Sequence, residues 1–361
     1  SLGGQPLELA ASVSSISSPD INLVLRSNEL KLDQLVKGLT GKANPALQDG
    51  VLKNFNLTAA YSVPKKTCSA TCELSGGTIA AFPLAKTKIV VDALLSPTNE
   101  IAHATLQPST LSLFGGTATL NGALNEAGQI STTVQASGID MKQLLNVVNS
   151  GGKITMSGNL RSLTFKGSGP KQNFVGALNG SADAVVVKGA IEGFNLLAQT
   201  LGKIDKIPGL GAALLSFVPE EHRELLRRDS TPFNELTLQL QMSGKDIKIN
   251  SLNMAHDTYI LTGHGTIPAS GDLNLDAQLR LTESLAAGMV KKEPKLRLLL
   301  DKNKSIVFPV IITRKGGIFL VLPDVTNLGT RALENTARDA ATKALDKVSP
   351  GLGNALDSLF K

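Results

Sequence analysis

The stretch LNLDAQLRL, residues 273–281, alternates strictly between apolar and polar side chains. A second stretch, ELTLQLQM at residues 235–242, alternates in the opposite phase but just as regularly. Because successive side chains of a β-strand point to opposite faces of the sheet, both stretches predict strands with one apolar and one polar face. That arrangement is typical of an antiparallel sheet with water on one side.

The same alternation recurs along most of the chain, for example at residues 21–26 and 54–61. Turn sequences rich in Gly separate these runs at intervals of about 8–12 residues, which gives roughly twenty candidate strands. Helical spacing of apolar residues is less frequent. It predicts helices at residues 29–40, at 139–149, at 194–228 with interruptions at Pro208 and Pro219, and in a tail at 328–361.

The composition excludes several classes of protein. The chain has 361 residues, of which 42% are hydrophobic, so it can build a core and is not globally disordered. Aromatic residues make up only 4% and Trp is absent, which argues against a stacking surface for single-stranded nucleic acid. A net charge of +6 over this length is too dilute for a DNA-binding stripe, although it suits weak attraction to an anionic membrane surface. We therefore expect no nucleic-acid partner.

The longest apolar runs, residues 306–312 and 318–322, fall short of the ~18 residues that a membrane-spanning helix requires. They predict a hairpin that is apolar on both faces. Such a hairpin is expected inside the protein, between the sheet and a helix, as part of the core. The alternative is that it lines a ligand groove with Phe308 and Phe319.

Cys68 and Cys72 lie in the alternating run TCSATCEL, residues 67–74, and both occupy its apolar positions. Residues four apart on one strand are separated by about 13 Å. A disulfide needs Cα atoms within ~7 Å, so we expect two buried free thiols. The alternative is a tight loop at residues 69–71 closed by a disulfide, which an oxidising compartment would permit.

Two segments repeat one another. Residues 21–39 and 130–148 each predict a strand, a small polar turn and a short amphipathic helix, and residues 193–196 form a weaker third copy of the turn and helix start. A second repeated phrase, LSGGT at 74–78 and LFGGT at 113–117, precedes strands. Its Gly-Gly pair permits positive φ and therefore a bulge or a tight hairpin.

Several phrases resemble the AsmA-like family of bacterial envelope proteins, which is related to TamB-type and other bridge-like lipid-transfer proteins. These phrases are residues 111–122, residues 136–145, residues 154–160 leading into 165–169, and residues 231–238 leading into 261–267. Together they span about residues 20–325 and resemble the C-terminal periplasmic region of such proteins. The resemblance implies a β-groove that carries lipid. The family has no catalytic motif, so it implies no site residue.

Motifs for catalysis or metal binding are not found, and we expect neither an enzyme nor a cofactor. The four histidines form no His-Glu-x-x-His motif and no Cys/His cluster at metal-ligand spacing. His256 and His264 can approach across a hairpin at residues 252–265, but structural or exposed roles are favoured. The basic run at 222–228 predicts the solvated face of a helix, with contact to anionic headgroups as the alternative.

The candidate strands carry more apolar surface than a few short helices can cover. One solution is a second sheet packed face to face. The other is a sheet curled into a trough that holds acyl chains, and the family resemblance favours it. The predicted fold class is therefore α+β and β-dominated: an elongated, twisted, mostly antiparallel sheet curled into an apolar groove, with short helices capping it. Candidate groove residues, chosen by strand face, are Leu236, Leu238, Leu240, Leu273, Leu275, Leu279, Phe308 and Phe319.

The predicted function is to bind phospholipid and convey it between the inner and outer membranes, without catalysis. The alternative is an interaction protein that assists or regulates the assembly of outer-membrane β-barrel proteins by offering sheet edges to partner strands. An enzyme is the least favoured class.

One β-groove domain is expected at residues 1–325, with repeat-like units at 21–149 and 150–325 and a helical insert at 194–228, followed by a helical tail at 326–361. The chain opens at SLGG without a signal peptide, inside strand-like sequence. This favours a mature or truncated piece of a longer protein over a soluble protein that is not exported. The resemblance to the AsmA-like family implies a periplasmic protein that an N-terminal segment anchors to the inner membrane.

Overall fold

The computed structural model describes residues 5–42, 49–79, 82–98, 100–148, 155–204, 214–315 and 318–323. The chain divides into two compact units. Unit 1 comprises Ser1–Gly152, Gly158–Val186 and Gln239–Asp246, and unit 2 comprises Lys153–Ser157, Val187–Leu238 and Ile247–Lys361. The helical tail predicted at 326–361 lies outside the described residues.

Strands dominate the described part of the chain, with 61% of its residues against 18% in helices, which confirms the β-dominated class. They form a large, twisted antiparallel sheet. In the described part of the chain the strands, numbered β1 to β19, are Glu8–Val13, Asp20–Lys31, Val51–Ser62, Thr67–Leu74, Gly76–Ile79, Phe82–Leu84, Thr87–Leu95, Ile101–Leu113, Gly116–Leu124, Gln129–Ser137, Ile139–Asp140, Met156–Pro170, Asn179–Glu192, Ser230–Ser243, Asp246–Ala255, Tyr259–Ile267, Leu273–Leu281, Ile306–Lys315 and Ile318–Pro323.

The helices are short, and among the described residues none has the length and apolar composition needed to cross a bilayer. Helices α1 to α5 are Leu32–Thr40, Met141–Val148, Leu196–Lys203, Arg223–Arg227 and Glu283–Lys292. Shorter 3-10 turns lie at Lys171–Asn173, Leu214–Phe217, Glu220–His222 and Pro294–Leu299. The helices predicted at 29–40 and 139–149 and within 194–228 are therefore present. Helix α5 was not predicted; Gly288 lies where a Cβ would be 2.5 Å from Pro219.

Unit 1 is an antiparallel meander. Strands β1 to β4 pair in chain order, and so do β7 to β10. β4 pairs with β7 past the side hairpin β5–β6, and β10 pairs with β12 past α2. The β10–β12 ladder is continuous from Gln129↔Pro170 to Ala136↔Leu163, which joins the segment that begins at Gly158 to unit 1.

The predicted strand–turn–helix repeat is present in the structure. β2 runs into α1, and β10 runs through β11 into α2. The Asp140 carboxylate accepts the N–H of Gln143 at 3.0 Å in the first turn of α2. In the third copy Gly193 has a φ of 69°, and the Asn195 side chain accepts the N–H of Ala198 to cap α3.

Both Gly-Gly phrases have positive φ, as predicted: the second forms the hairpin turn between β8 and β9, whereas the first lies at the bend between β4 and β5, which both pair with β3. Gly77 has a φ of 146° and Gly115 a φ of 81°. Gly116 is needed for a different reason, because a Cβ there would lie 2.3 Å from the backbone oxygen of Ser137.

In unit 2 the sheet packs one face against helices of the same unit. β15 to β19 pair in chain order, and Leu279 of β17 lies opposite Phe308 of β18. Both side chains are fully buried. α3 packs against β19, where the Lys203 ammonium donates to the backbone oxygen of Val321 at 2.7 Å. α5 adds the fully buried Leu285 to the core of unit 2.

The β18–β19 hairpin joins the core on one face only. Val310 and Ile312 are buried, which confirms the core prediction for that face. Ile318, Leu320 and Leu322 on the other face are exposed, so the prediction that both faces lie inside is wrong. The reason is that α3 packs on the side of β19 that carries Val321, whereas the opposite side faces solvent.

An ion pair between Arg280 and Asp301 holds the loop that precedes β18. The Asp301 carboxylate accepts from the Arg280 guanidinium and from the backbone N–H groups of Asn303 and Ser305. Burial alone would raise the pKa of Asp301, but these hydrogen bonds outweigh it and lower that pKa. The resulting stabilisation is complete above the unfolded-state pKa of about 3.9 and is lost as the pH falls through the folded-state pKa.

We expect Asp301→Asn to lower the free energy of unfolding by about 2 kcal/mol at neutral pH, because the charged hydrogen bonds are lost. Urea unfolding of both proteins across the acid range measures the effect. The difference should shrink as the wild-type carboxylate is protonated, and a difference that is independent of pH would contradict this assignment.

Candidate functional site

One face of the unit 1 sheet is apolar across successive strands. The register places apolar residues opposite one another, as in the row Ala59, Ala70, Val91 and Leu106. We call this surface the unit 1 apolar face. Its members are Ile21, Leu23 and Leu25 of β2; Leu57, Ala59 and Tyr61 of β3; Cys68, Ala70 and Cys72 of β4; Ile89, Val91 and Ala93 of β7; Ala104 and Leu106 of β8; Leu120 and Leu124 of β9; Ile130 and Val134 of β10; and Phe165 of β12.

No member of this face carries a charge, and the hydroxyl groups interspersed with it are turned back to the backbone. Thr132 donates to the backbone oxygen of Asn121 at 2.9 Å. Ser109 donates to that of Gln107 at 2.9 Å, and Thr87 donates to that of Ala85 at 3.0 Å. With these donors satisfied, the other polar side-chain atoms among the members of the face are the Tyr61 hydroxyl and the two thiols.

Every member of the unit 1 apolar face is partly exposed and none is buried. Buried apolar side chains lie beside it at two places: Leu30, Leu52, Phe55 and Leu74 pack together with residues of α1, and Phe114, Ala118, Ala136, Ile139 and Met141 are buried near the start of α2. Leu25, Leu57 and Cys72 of the face pack against the first group. The face therefore keeps apolar area that its own unit does not cover. Soluble proteins rarely leave large apolar areas uncovered unless the surface binds something.

The opposite face of unit 1 is polar. Lys88 pairs with Glu73 at 3.3 Å, and Arg26 donates to Asn56 at 3.3 Å. Gln107 donates to the Asp92 carboxylate at 2.8 Å, and this hydrogen bond lowers the pKa of Asp92. A shallow hollow of about 720 Å³ on this side is lined by side chains such as those of Thr105, Gln107, Asn121, Ser131, Thr133 and Lys166. The two faces thus differ sharply in chemistry, as the sequence alternation predicts.

Cys68 and Cys72 both belong to the unit 1 apolar face, and both thiols are free. Cys68 lies opposite Tyr61 and Cys72 opposite Leu57 in the β3–β4 ladder. Burial, and then the charge of Glu73, raise the pKa of the Cys72 thiol. The expectation of unbridged cysteines on one strand is therefore confirmed, although both are only half-buried.

The structure separates the eight residues predicted to line a groove. Those buried by the protein itself are Leu236, Leu275, Leu279 and Phe308. Those that stay partly exposed are Leu238, Leu240, Leu273 and Phe319. The buried ones have no free surface for a ligand in this structure. Phe319 stacks on Phe194 with ring centroids 4.6 Å apart.

The location of the larger uncovered apolar surface in unit 1 was not predicted from the sequence. Its alternating runs were visible in the sequence, as at 54–61 and 67–74. The covering layer that distinguishes the two units was not visible, because it depends on where helices such as α3 and α5 pack.

The histidines and the basic run have structural surroundings. His256 stacks on Tyr259 with centroids 5.0 Å apart, and burial lowers the pKa of His256. His264 lies opposite Asp276 in the β16–β17 ladder. In the run at 222–228, Arg227 pairs with Glu224 at 3.3 Å on an exposed surface, as expected for a solvated helix face. Within the described ranges no group of three or more His, Cys, Asp or Glu side chains is placed to hold a metal.

The chain matches no protein-family model, no curated protein and no solved structure.

The free thiols provide a direct check on the geometry of the face. Titration with a thiol reagent in denaturant without reductant should detect both cysteines. In Cys68→Ser, the remaining Cys72 should react more slowly in the folded protein than in the unfolded chain at the same mildly alkaline pH, because burial and a raised pKa both reduce the accessible thiolate. Equal rates, or a missing thiol in the wild type, would contradict the placement of β4.

Proposed function

We propose that the protein binds phospholipid through the unit 1 apolar face and conveys it between the inner and outer membranes of a bacterial envelope, from the periplasm and without catalysis. The observation that supports this most is the uncovered apolar face, which crosses eight strands without a charged side chain.

The dimensions of the face suit acyl chains. Eight strands span about 34 Å at ~4.8 Å per strand. The tails of one leaflet extend over about half of the ~30 Å hydrocarbon core of a bilayer. The central row of the face combines the small residues Ala59, Ala70 and Gly122 with the larger Val91 and Leu106. Each methylene group removed from water contributes ~0.8 kcal/mol, so a partly covered pair of tails binds firmly.

The chemistry of the face also suits movement along it. A lipid held by dispersion and hydrophobic contact alone meets similar contacts at each strand, because no charged group fixes its headgroup at one place. The lipid headgroup then stays in water or next to polar side chains at the edge of the face. We therefore propose that the protein distinguishes lipids by their tails more than by their headgroups.

Val90 and Val91 provide a matched pair of variants. They are adjacent on β7, both are partly exposed, and they point to opposite faces: Val91 lies opposite Ala70 on the unit 1 apolar face, and Val90 lies opposite Thr71. We expect Val91→Glu to weaken binding of a fluorescent phospholipid by at least about tenfold, because a carboxylate against the tails lacks a partner. Val90→Glu should bind as the wild type does.

Transfer of the same phospholipid between donor and acceptor vesicles should fall in parallel with binding. Thermal melting of both variants controls for stability, since the two substitutions are chemically identical. If Val91→Glu binds and transfers lipid normally, or if both variants lose binding equally, the unit 1 apolar face is not the lipid site.

A second candidate function, assistance in the assembly of outer-membrane β-barrel proteins, is favoured by strand β1. All six of its residues are exposed, and its register with β2 is unbroken from Glu8 to Val13. Natural edge strands usually carry Lys, Pro or a bulge to prevent pairing, and β1 contains none of these. Such a strand can accept a partner strand by β-augmentation.

Proline substitutions test that candidate. Successive N–H groups of an antiparallel strand point to opposite sides, so of Ala10→Pro and Ala11→Pro one removes an outward N–H and the other disrupts pairing with β2. The variant that keeps the wild-type melting temperature identifies the outward position. Crosslinking of that variant to outer-membrane β-barrel proteins in envelope extracts should be lost while phospholipid binding is unchanged. Wild-type protein that forms no such crosslink would remove this candidate.

A further inference from the structure

The outward side of the β18–β19 hairpin is apolar where the neighbouring strand is polar. On β17 the outward residues Asn274, Asp276 and Gln278 are exposed and polar, as expected for a face in water. On the hairpin the outward positions carry four exposed apolar side chains. We call these the hairpin patch: Ile311, Ile318, Leu320 and Leu322.

The register clusters these side chains. Ile311 lies directly opposite Leu322, and Leu320 lies opposite Thr313, one step closer to the turn. The exposed fractions are 42% for Ile311, 47% for Leu322, 43% for Leu320 and 76% for Ile318. The most exposed member, Ile318, is therefore the one at the end of the hairpin next to the turn.

The charge of the hairpin has one sign. Residues 306–323 contain no Asp or Glu, and of their two cations Arg314 is buried whereas Lys315 is not. Lys315 is exposed and lies directly opposite Ile318. An exposed cation beside exposed aliphatic side chains complements a surface that offers hydrocarbon below a layer of anionic groups.

We propose that the hairpin patch docks on the surface of an anionic phospholipid bilayer, with Ile318 and Leu320 among the acyl chains and Lys315 at the headgroups. A bilayer fits better than a folded partner, because four side chains on one hairpin are few for a stable protein interface, which buries about 1,000 Å² or more. This inference goes beyond the proposed function, since it concerns a surface of unit 2 and does not require lipid on the unit 1 apolar face.

Sedimentation of the full chain with vesicles tests the proposal. The probes are vesicles of phosphatidylcholine and phosphatidylglycerol in equal parts, and vesicles of phosphatidylcholine alone. The wild type should bind the anionic vesicles more strongly, and salt should weaken that binding. Ile318→Ser should lower the affinity by about tenfold, and Lys315→Gln should reduce the preference for anionic vesicles and its salt dependence.

Val175→Ser is the matched control, because Val175 is an aliphatic residue with 80% exposure outside the hairpin patch. It should bind as the wild type does. Wild-type protein that does not sediment with anionic vesicles, or Ile318→Ser protein that sediments normally, would overturn the proposal. Light scattering that shows a wild-type dimer reduced to a monomer by Ile318→Ser, with vesicle binding unchanged, would assign the hairpin patch to a second copy of the chain instead.

The same assay separates this proposal from the proposed function. Val91→Glu should retain vesicle binding while it loses the bound fluorescent phospholipid, and Ile318→Ser should retain the bound phospholipid while it loses vesicle binding. If Val91→Glu also abolishes vesicle sedimentation, the bilayer contact belongs to the unit 1 apolar face and not to the hairpin patch.

Discussion

Because apolar and polar residues alternate along its strands, the apolar surface of this protein becomes larger with each strand of the sheet. Each strand places half of its side chains on one face, and the backbone ladder holds those halves in a single continuous layer. In unit 2 helices cover that layer, and Leu279 and Phe308 lose all contact with water. In unit 1 the buried apolar side chains lie at the corner around Leu30 and beside the start of α2, around Ile139. The remainder stays available to a ligand.

Strands of similar sequence are therefore covered by helices to different extents in the two units. Unit 2 places helices such as α3 and α5 between or after its strands, and these helices fill the space over the sheet. Unit 1 has α1 and α2, whose eight or nine residues reach only a small part of eight strands. Partial exposure of an apolar, uncharged surface to water is unfavourable for the stability of the fold. The bound lipid that we propose would account for its presence.

Much of the fold could be predicted from the sequence, because alternation and turn glycines are local signals. The strands at 235–242 and 273–281, the repeat of strand, turn and helix, and the free thiols on β4 all follow from spacing. The candidate site was harder to predict. Leu275 and Leu279 show the same alternation as Leu23 and Leu25, yet the first pair is buried and the second is partly exposed. The difference comes from helix packing far away in sequence, which no local pattern encodes.

Mass spectrometry of organic extracts from protein purified without detergent tests the central claim most directly. If the uncovered face is a lipid site, the extract should contain phospholipid in near-stoichiometric amount, with varied headgroups. Protein that is folded and monodisperse but free of lipid, and that gains none when offered vesicles, would contradict the account.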